Sequence, residues 1–173
     1  MRTLIVIFSL LYSTITLCQK ETSYIDSITV KGVTTKFKNK YETIVIEKVK
    51  IHAYEYNSKY TTFYSDSVGY FEFNIPINSY VVLAFEKDDY IVKRVLFDTR
   101  TKAKLKKINP FDLEIVMLKY FKEIDYNDLD FPITRVEYDE ELKDFNYAST
   151  YTQMMLKKQE KILFNMTRKS NQF

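Results

Sequence analysis

The chain has 173 residues, of which 46% are apolar, 28% charged and 16% aromatic. That balance supports one packed domain with extensions and excludes a chain that is mostly membrane-embedded or disordered. The net charge of +3 is too small to argue for a nucleic-acid partner by itself. With 15 Tyr and 13 Phe against 2 Gly and 3 Pro, the composition leans towards strands, where flat rings pack on a pleated, half-buried surface.

Arg2 followed by the apolar run Leu4 to Leu11 has the charge order and length of a secretory signal peptide, too short for a spanning helix. Thr16 and Cys18 supply the small residues of a cleavage site before Gln19, so residues 1–18 read as a leader. Cys18 has a second meaning, as the acylated cysteine of a bacterial lipoprotein, although Leu17 stands where a small residue is preferred. Removal of Cys18 would leave a mature chain without cysteine, as suits a bacterial envelope better than a disulfide-stapled scaffold. The expected location is therefore periplasmic, outer-membrane associated or secreted.

Seven strands follow in the mature chain. Ser27 to Val33 alternates loosely around Gly32, where close packing or a bulge is expected. Lys36 to Tyr41 reads as a polar loop. Val49, Ile51 and Ala53 alternate with Lys50, His52 and Tyr54, and Thr61 to Tyr64 is a short strand-prone run. Ser65 to Gly69 is a turn in which Gly69 can take a positive φ. Phe71, Phe73, Ile75 and Ile77 share a face of the next strand, and Pro76 marks its end or an edge. Tyr80 to Phe85 reads as a strand buried on both faces, and Tyr90 to Asp98 as its hairpin partner across Lys87-Asp88-Asp89. A basic loop, Arg100, Lys102, Lys104, Lys106 and Lys107, precedes the last clear strand, Phe111 to Met117.

These residues predict an all-β fold, a seven-stranded β-sandwich of transthyretin-like or Ig-like type over residues 27–118. An acidic, aromatic extension follows over 119–148. It holds nine acids between Glu123 and Asp144 against Arg135 and Lys143, and it is expected to be irregular. Ser149-Thr150 with Gln153 resembles a capping box opening a helix over 149–168. Tyr151, Met155, Ile162 and Met166 fall on one face of that helix and Lys157, Lys158 and Lys161 elsewhere. Attraction between the acidic segment and the basic helix would dock the helix on the sandwich.

Two segments carry a family resemblance. Ser65-Asp66-Ser67-Val68-Gly69-Tyr70-Phe71-Glu72-Phe73 looks like a T-D-x-x-G-x-F hairpin, and Phe85-Glu86-Lys87-Asp88-Asp89-Tyr90-Ile91-Val92-Lys93 like a K-x-G-Y turn. Together with Val30-Lys31-Gly32-Val33 and Val49-Lys50-Ile51, they make residues 28–118 resemble the carboxypeptidase regulatory-like domain. Ser65 replaces Thr, and Asp89 replaces the turn glycine, a position an Asp tolerates better than most residues. The resemblance implies a transthyretin-like sandwich used as an accessory module in secreted proteins. Phe131-Pro132-Ile133, Tyr138, Phe145, Tyr147, Tyr151 and Thr152 are similar to extensions that follow such domains in small bacterial envelope proteins.

Catalytic chemistry finds little support. His52 is the sole histidine, and its H-x-x-E spacing with Glu55 would place the two side chains on opposite faces of a strand. No nucleophile elbow or phosphate-cradling glycine loop exists. Asp125, Asp128 and Asp130 lack the spacing of a calcium loop. The expected role is a non-enzymatic interaction module with an envelope protein partner, needing no metal or cofactor. The alternative is a glycan- or peptide-binding accessory protein that stacks ligands on exposed Tyr54, Tyr56, Tyr60 and Tyr64. The loop from Arg100 to Lys107 is a candidate contact for anionic lipid headgroups. The partner's identity and the oligomeric state stay open.

Overall fold

A computed structural model describes residues 24–39 and 41–170, with the side chains of 169 and 170 excepted. The expected leader and Cys18 lie outside the described residues. Alternation of buried and exposed positions produces β1 (Ser27–Phe37), which turns back through β2 (Thr43–Val45). The chain then forms β3 (Lys50–Glu55), β4 (Ser58–Tyr64), β5 (Tyr70–Pro76), β6 (Tyr80–Glu86), β7 (Lys93–Asp98) and β8 (Phe111–Met117). A short 3-10 turn at Asn127–Leu129 leads to β9 (Thr134–Asp139), β10 (Asp144–Tyr147) and the helix α1 (Ser149–Ser170).

The class is all-β, two sheets in a sandwich with one C-terminal helix, but the described residues form ten strands rather than seven. In the smaller sheet β1 pairs with β5 and β2 on one side and, in parallel, with β8 on the other. The larger sheet has the order β10-β9-β7-β6-β3-β4, antiparallel except for β7 and β9. Inward residues of both sheets, among them Val30, Ile51, Phe71, Leu83, Phe97 and Ile115, make one continuous core.

The expectation of an irregular acidic extension is corrected. Residues 134–147 add β9 and β10 to the larger sheet. Their signal is real but short: Val136 and Phe145 are buried among charged neighbours whose side chains point away. The high acid content of the segment hides a period of two that spans only a few residues.

The turns behave as their residues require. Gly69 has φ +71°, and the Asp66 carboxylate accepts from the Val68 and Tyr70 amides. Asp89 takes φ +67° in the turn closed by the Tyr90 amide on the Lys87 carbonyl, so aspartate does there what a glycine would. Pro76 ends β5, which is also an edge strand.

The helix docks through a second, smaller core of Leu118, Ile124, Leu129, Met155 and Ile162. Lys158 meets Asp128 at 3.2 Å, so the acidic segment and the basic helix do attract each other within the chain. Thr152 and Thr134 share a hydrogen bond of 2.7 Å, and the Tyr151 hydroxyl donates to the Pro132 carbonyl. Lys93 is the unusual member of this junction. It is only 4% exposed, its Nζ donates to Gln159 Oε1 at 3.0 Å, and burial pushes its ammonium down to about 8.

Candidate interaction surface

The β3–β4 hairpin lies at the edge of the larger sheet, and among the described residues no strand pairs beyond β4. Its two-residue tip, Tyr56-Asn57, has φ of +46° and +68°, the signs of a type I′ turn. Asn suits that turn; tyrosine does not, because its Cβ crowds the backbone in the left-handed region. Yet Tyr56 is 65% exposed and its ring is not needed by the core. Backbone strain without a packing duty makes Tyr56 a candidate for an interaction role.

The register slips between Ala53 and Tyr54, where Tyr60 becomes the unpaired residue of a β-bulge. The bulge turns Tyr60 to the rim of the sandwich, 6.0 Å from the Phe73 ring, while Phe63 stacks on Phe73 at 4.9 Å. Burial there, and then the charge of Glu55, raise the Tyr60 hydroxyl to about 12. Tyr64 lies opposite Lys50 and is exposed, whereas Tyr54 is half-buried beside His52. The four tyrosines therefore line one hairpin but form no single flat platform.

His52 is 6% exposed and spans Thr62 Oγ1 at 2.7 Å and Glu86 Oε2 at 3.1 Å. It clamps β3 to both neighbouring strands. Among the described residues no three His, Cys, Asp or Glu side chains come together as a metal would need. Asp125 accepts from the Asn127 amide, and Asp128 is held by Lys158.

Arg100 departs from its basic neighbours. Its guanidinium takes both oxygens of Asp98 at 2.7 Å and stands over the Tyr80 ring at 5.2 Å from the centroid. Tyr80 opens β6 next to Val81, which lies opposite Glu55, so one member of the basic loop stands at the same end of the sheet as the hairpin tip. Arg135 adds a hydrogen bond to Asp98 at 3.0 Å and one ion pair to Glu137, while its buried Nε finds no partner among the described residues. The run of basic residues marks Arg100 in the sequence, but nothing local marks Asp98, Arg135 or Tyr80. They sit on three different strands, and only the register of β6, β7 and β9 makes them neighbours.

No family model and no curated protein matches the chain. Among the described residues no helix is long and apolar enough to cross a membrane.

The Asp98 carboxyl is held below the usual carboxylate range, first by the Arg100 side-chain hydrogen bonds. Asp98→Asn is expected to cost about 1–2 kcal/mol at neutral pH, the scale of charge-assisted bonds whose partners remain partly hydrated. Because the folded state depresses this carboxyl, its contribution is full above the unfolded value. It fades as pH falls through the folded one, so urea midpoints of variant and parent should converge in acid.

Proposed function

We propose that this chain is a non-enzymatic interaction module of a bacterial cell envelope, and that it engages a protein partner through the β3–β4 hairpin. The observation that carries the reading is Tyr56, an exposed tyrosine held in left-handed backbone at the tip of a free-edge hairpin. A free edge offers unpaired amides and carbonyls to an extended segment, and side chains flanking it supply selectivity. The bulge at Tyr60 and the charge of Lys59 limit unspecific pairing along the same edge. The leader-like N-terminus supports an exported location, and the resemblance to the carboxypeptidase regulatory-like domain supports an accessory role. A second reading, glycan binding, draws on the exposed rings of Tyr56, Tyr60 and Tyr64.

The test is affinity capture from native envelopes with the parent chain, Tyr56→Asn and Tyr64→Ser. Tyr56→Asn should relieve turn strain and raise stability by about 0.5–1 kcal/mol, yet lose the partner. Loss of a stoichiometric envelope protein from both variants supports the proposal. Equal capture by all three chains ends it. A parent chain that captures no protein but binds envelope glycan moves the assignment to the second reading.

A further inference from the structure

The loop between β7 and β8 is built to push lysines outward. Ala103, Leu105 and Ile108 turn inward and pack on the main core, and Leu105 is buried. Lys102, Lys104, Lys106 and Lys107, which alternate with or flank them, are exposed, and among the described residues no acid pairs with any of the four. The loop is also held at its base, since the Ala103 amide donates to Thr101 Oγ1 and the Thr101 amide to Asn78 Oδ1.

The chain enters the fold at the same place. The Ile25 amide donates to the Leu105 carbonyl at 3.0 Å, and Lys104 stands 5.7 Å from the Tyr24 ring centroid. Upstream of Tyr24 lie the apolar run Leu4 to Leu11 and Cys18. From Cys18 the chain reaches Tyr24 in six residues, at most about 20 Å when extended. Any membrane attachment in that stretch holds this end of the sandwich towards the bilayer. Acids also occur at this end: Asp26 is exposed beside Ile25, Asp98 is taken by two arginines, Asp144 accepts from Asn109, and Asp139 ends β9 ahead of Glu140 and Glu141 in the β9–β10 turn. That turn adjoins the end of the loop through Asn109 and Asp144, yet among the described residues none of these acids forms an ion pair with the four lysines.

We propose that Lys102, Lys104, Lys106 and Lys107 form a membrane-facing surface that binds the phosphate headgroups of an anionic lipid bilayer. Clustered lysines near a membrane surface act as point charges for such headgroups, and their contributions add while they remain within a Debye length. Glu55 pairs with Val81 and Tyr80 with Asp98, so the loop and the hairpin tip share one end of the larger sheet: the surface would orient the module, and the length of β4 running away from that end stays open to a partner.

The test is sedimentation with vesicles, using the chain from Gln19, which contains every residue of both cores. Vesicles of phosphatidylcholine alone are compared with vesicles that also contain phosphatidylglycerol. The parent should bind only the mixed vesicles, with an affinity that drops as salt is raised. Each Lys→Gln change in the loop should weaken binding by roughly fivefold. The quadruple variant should lose it while keeping the parent's thermal transition. Lys157→Gln/Lys161→Gln/Arg168→Gln on the solvent side of α1 removes comparable charge and should bind as the parent does. Equal binding to both vesicle types, no binding, or equal loss in the helix variant overturns the proposal. None of these results depends on the partner capture, so the two readings fail separately.

Discussion

Gly32→Ala is expected to destabilise the protein by about 3–4 kcal/mol, well above an ordinary overpacking penalty. A Cβ at position 32 would collide with the Leu113 carbonyl oxygen and stand 2.8 Å from its carbon. The obstacle is backbone, so no side-chain rotation relieves it. β1 and β8 would have to move apart around Gly32↔Leu113, in the middle of their parallel ladder. β1 is the strand to which every other strand of the smaller sheet pairs, so the damage reaches β5 and the core face carrying Val30 and Phe71. Urea unfolding should show a lower midpoint at unchanged slope. A loss below about 1 kcal/mol would mean that β1 and β8 do not approach as closely as described.

Lys93→Met is expected to act in the other direction. Lys93 is buried at the junction of sandwich and helix with the neutral Gln159 as its partner, and burial is the cause of its lowered ammonium value. Moving that group from 10.5 to about 8 corresponds to roughly 3 kcal/mol lost wherever the lysine is charged in both states. Methionine keeps the length and apolar stem but gives up one hydrogen bond, so a net gain of about 2 kcal/mol at pH 7 is expected.

The pH dependence has a definite sign. Unfolded Lys93 keeps its proton up to about 10.5 and folded Lys93 up to about 8. Between those values the unfolded state binds more protons, so the parent's stability rises with pH, and below about 8 that gain is absent. Lys93→Met lacks this rise. Thermal melts of the pair should be far apart at pH 7 and approach each other towards pH 10, which cancels the tyrosines common to both. Parallel curves across that window would show that Lys93 is hydrated or paired with a carboxylate.

Both predictions concern residues whose importance is only partly visible in one dimension. Gly32 is marked in the sequence by the scarcity of glycine and by its place inside a strand pattern, which points to close approach. The neighbour that makes it indispensable is Leu113, some eighty residues on, and a parallel pairing of that kind leaves no local mark. Nothing next to Lys93 in the sequence marks it as buried; Gln159, its partner on the helix, lies sixty-six residues on.

The amino-acid pattern by itself determined seven of the strands (β1 and β3 to β8), the turns at Gly69 and Asp89, the C-terminal helix and its apolar face. Those features follow from local periodicity and from the backbone preferences of single residues, which need no distant partner. Three things were decided by the tertiary structure. The short strands β2, β9 and β10 exist because a neighbouring strand accepts their hydrogen bonds; three to six residues of alternation cannot announce themselves among charges. The four tyrosines were dispersed around one hairpin by a bulge that depends on the pairing of β3 with β4. Arg100 was drawn out of the basic loop by Asp98 and Tyr80, leaving four lysines at the end where the chain enters the fold. Composition set which groups were available, and strand register set which of them met.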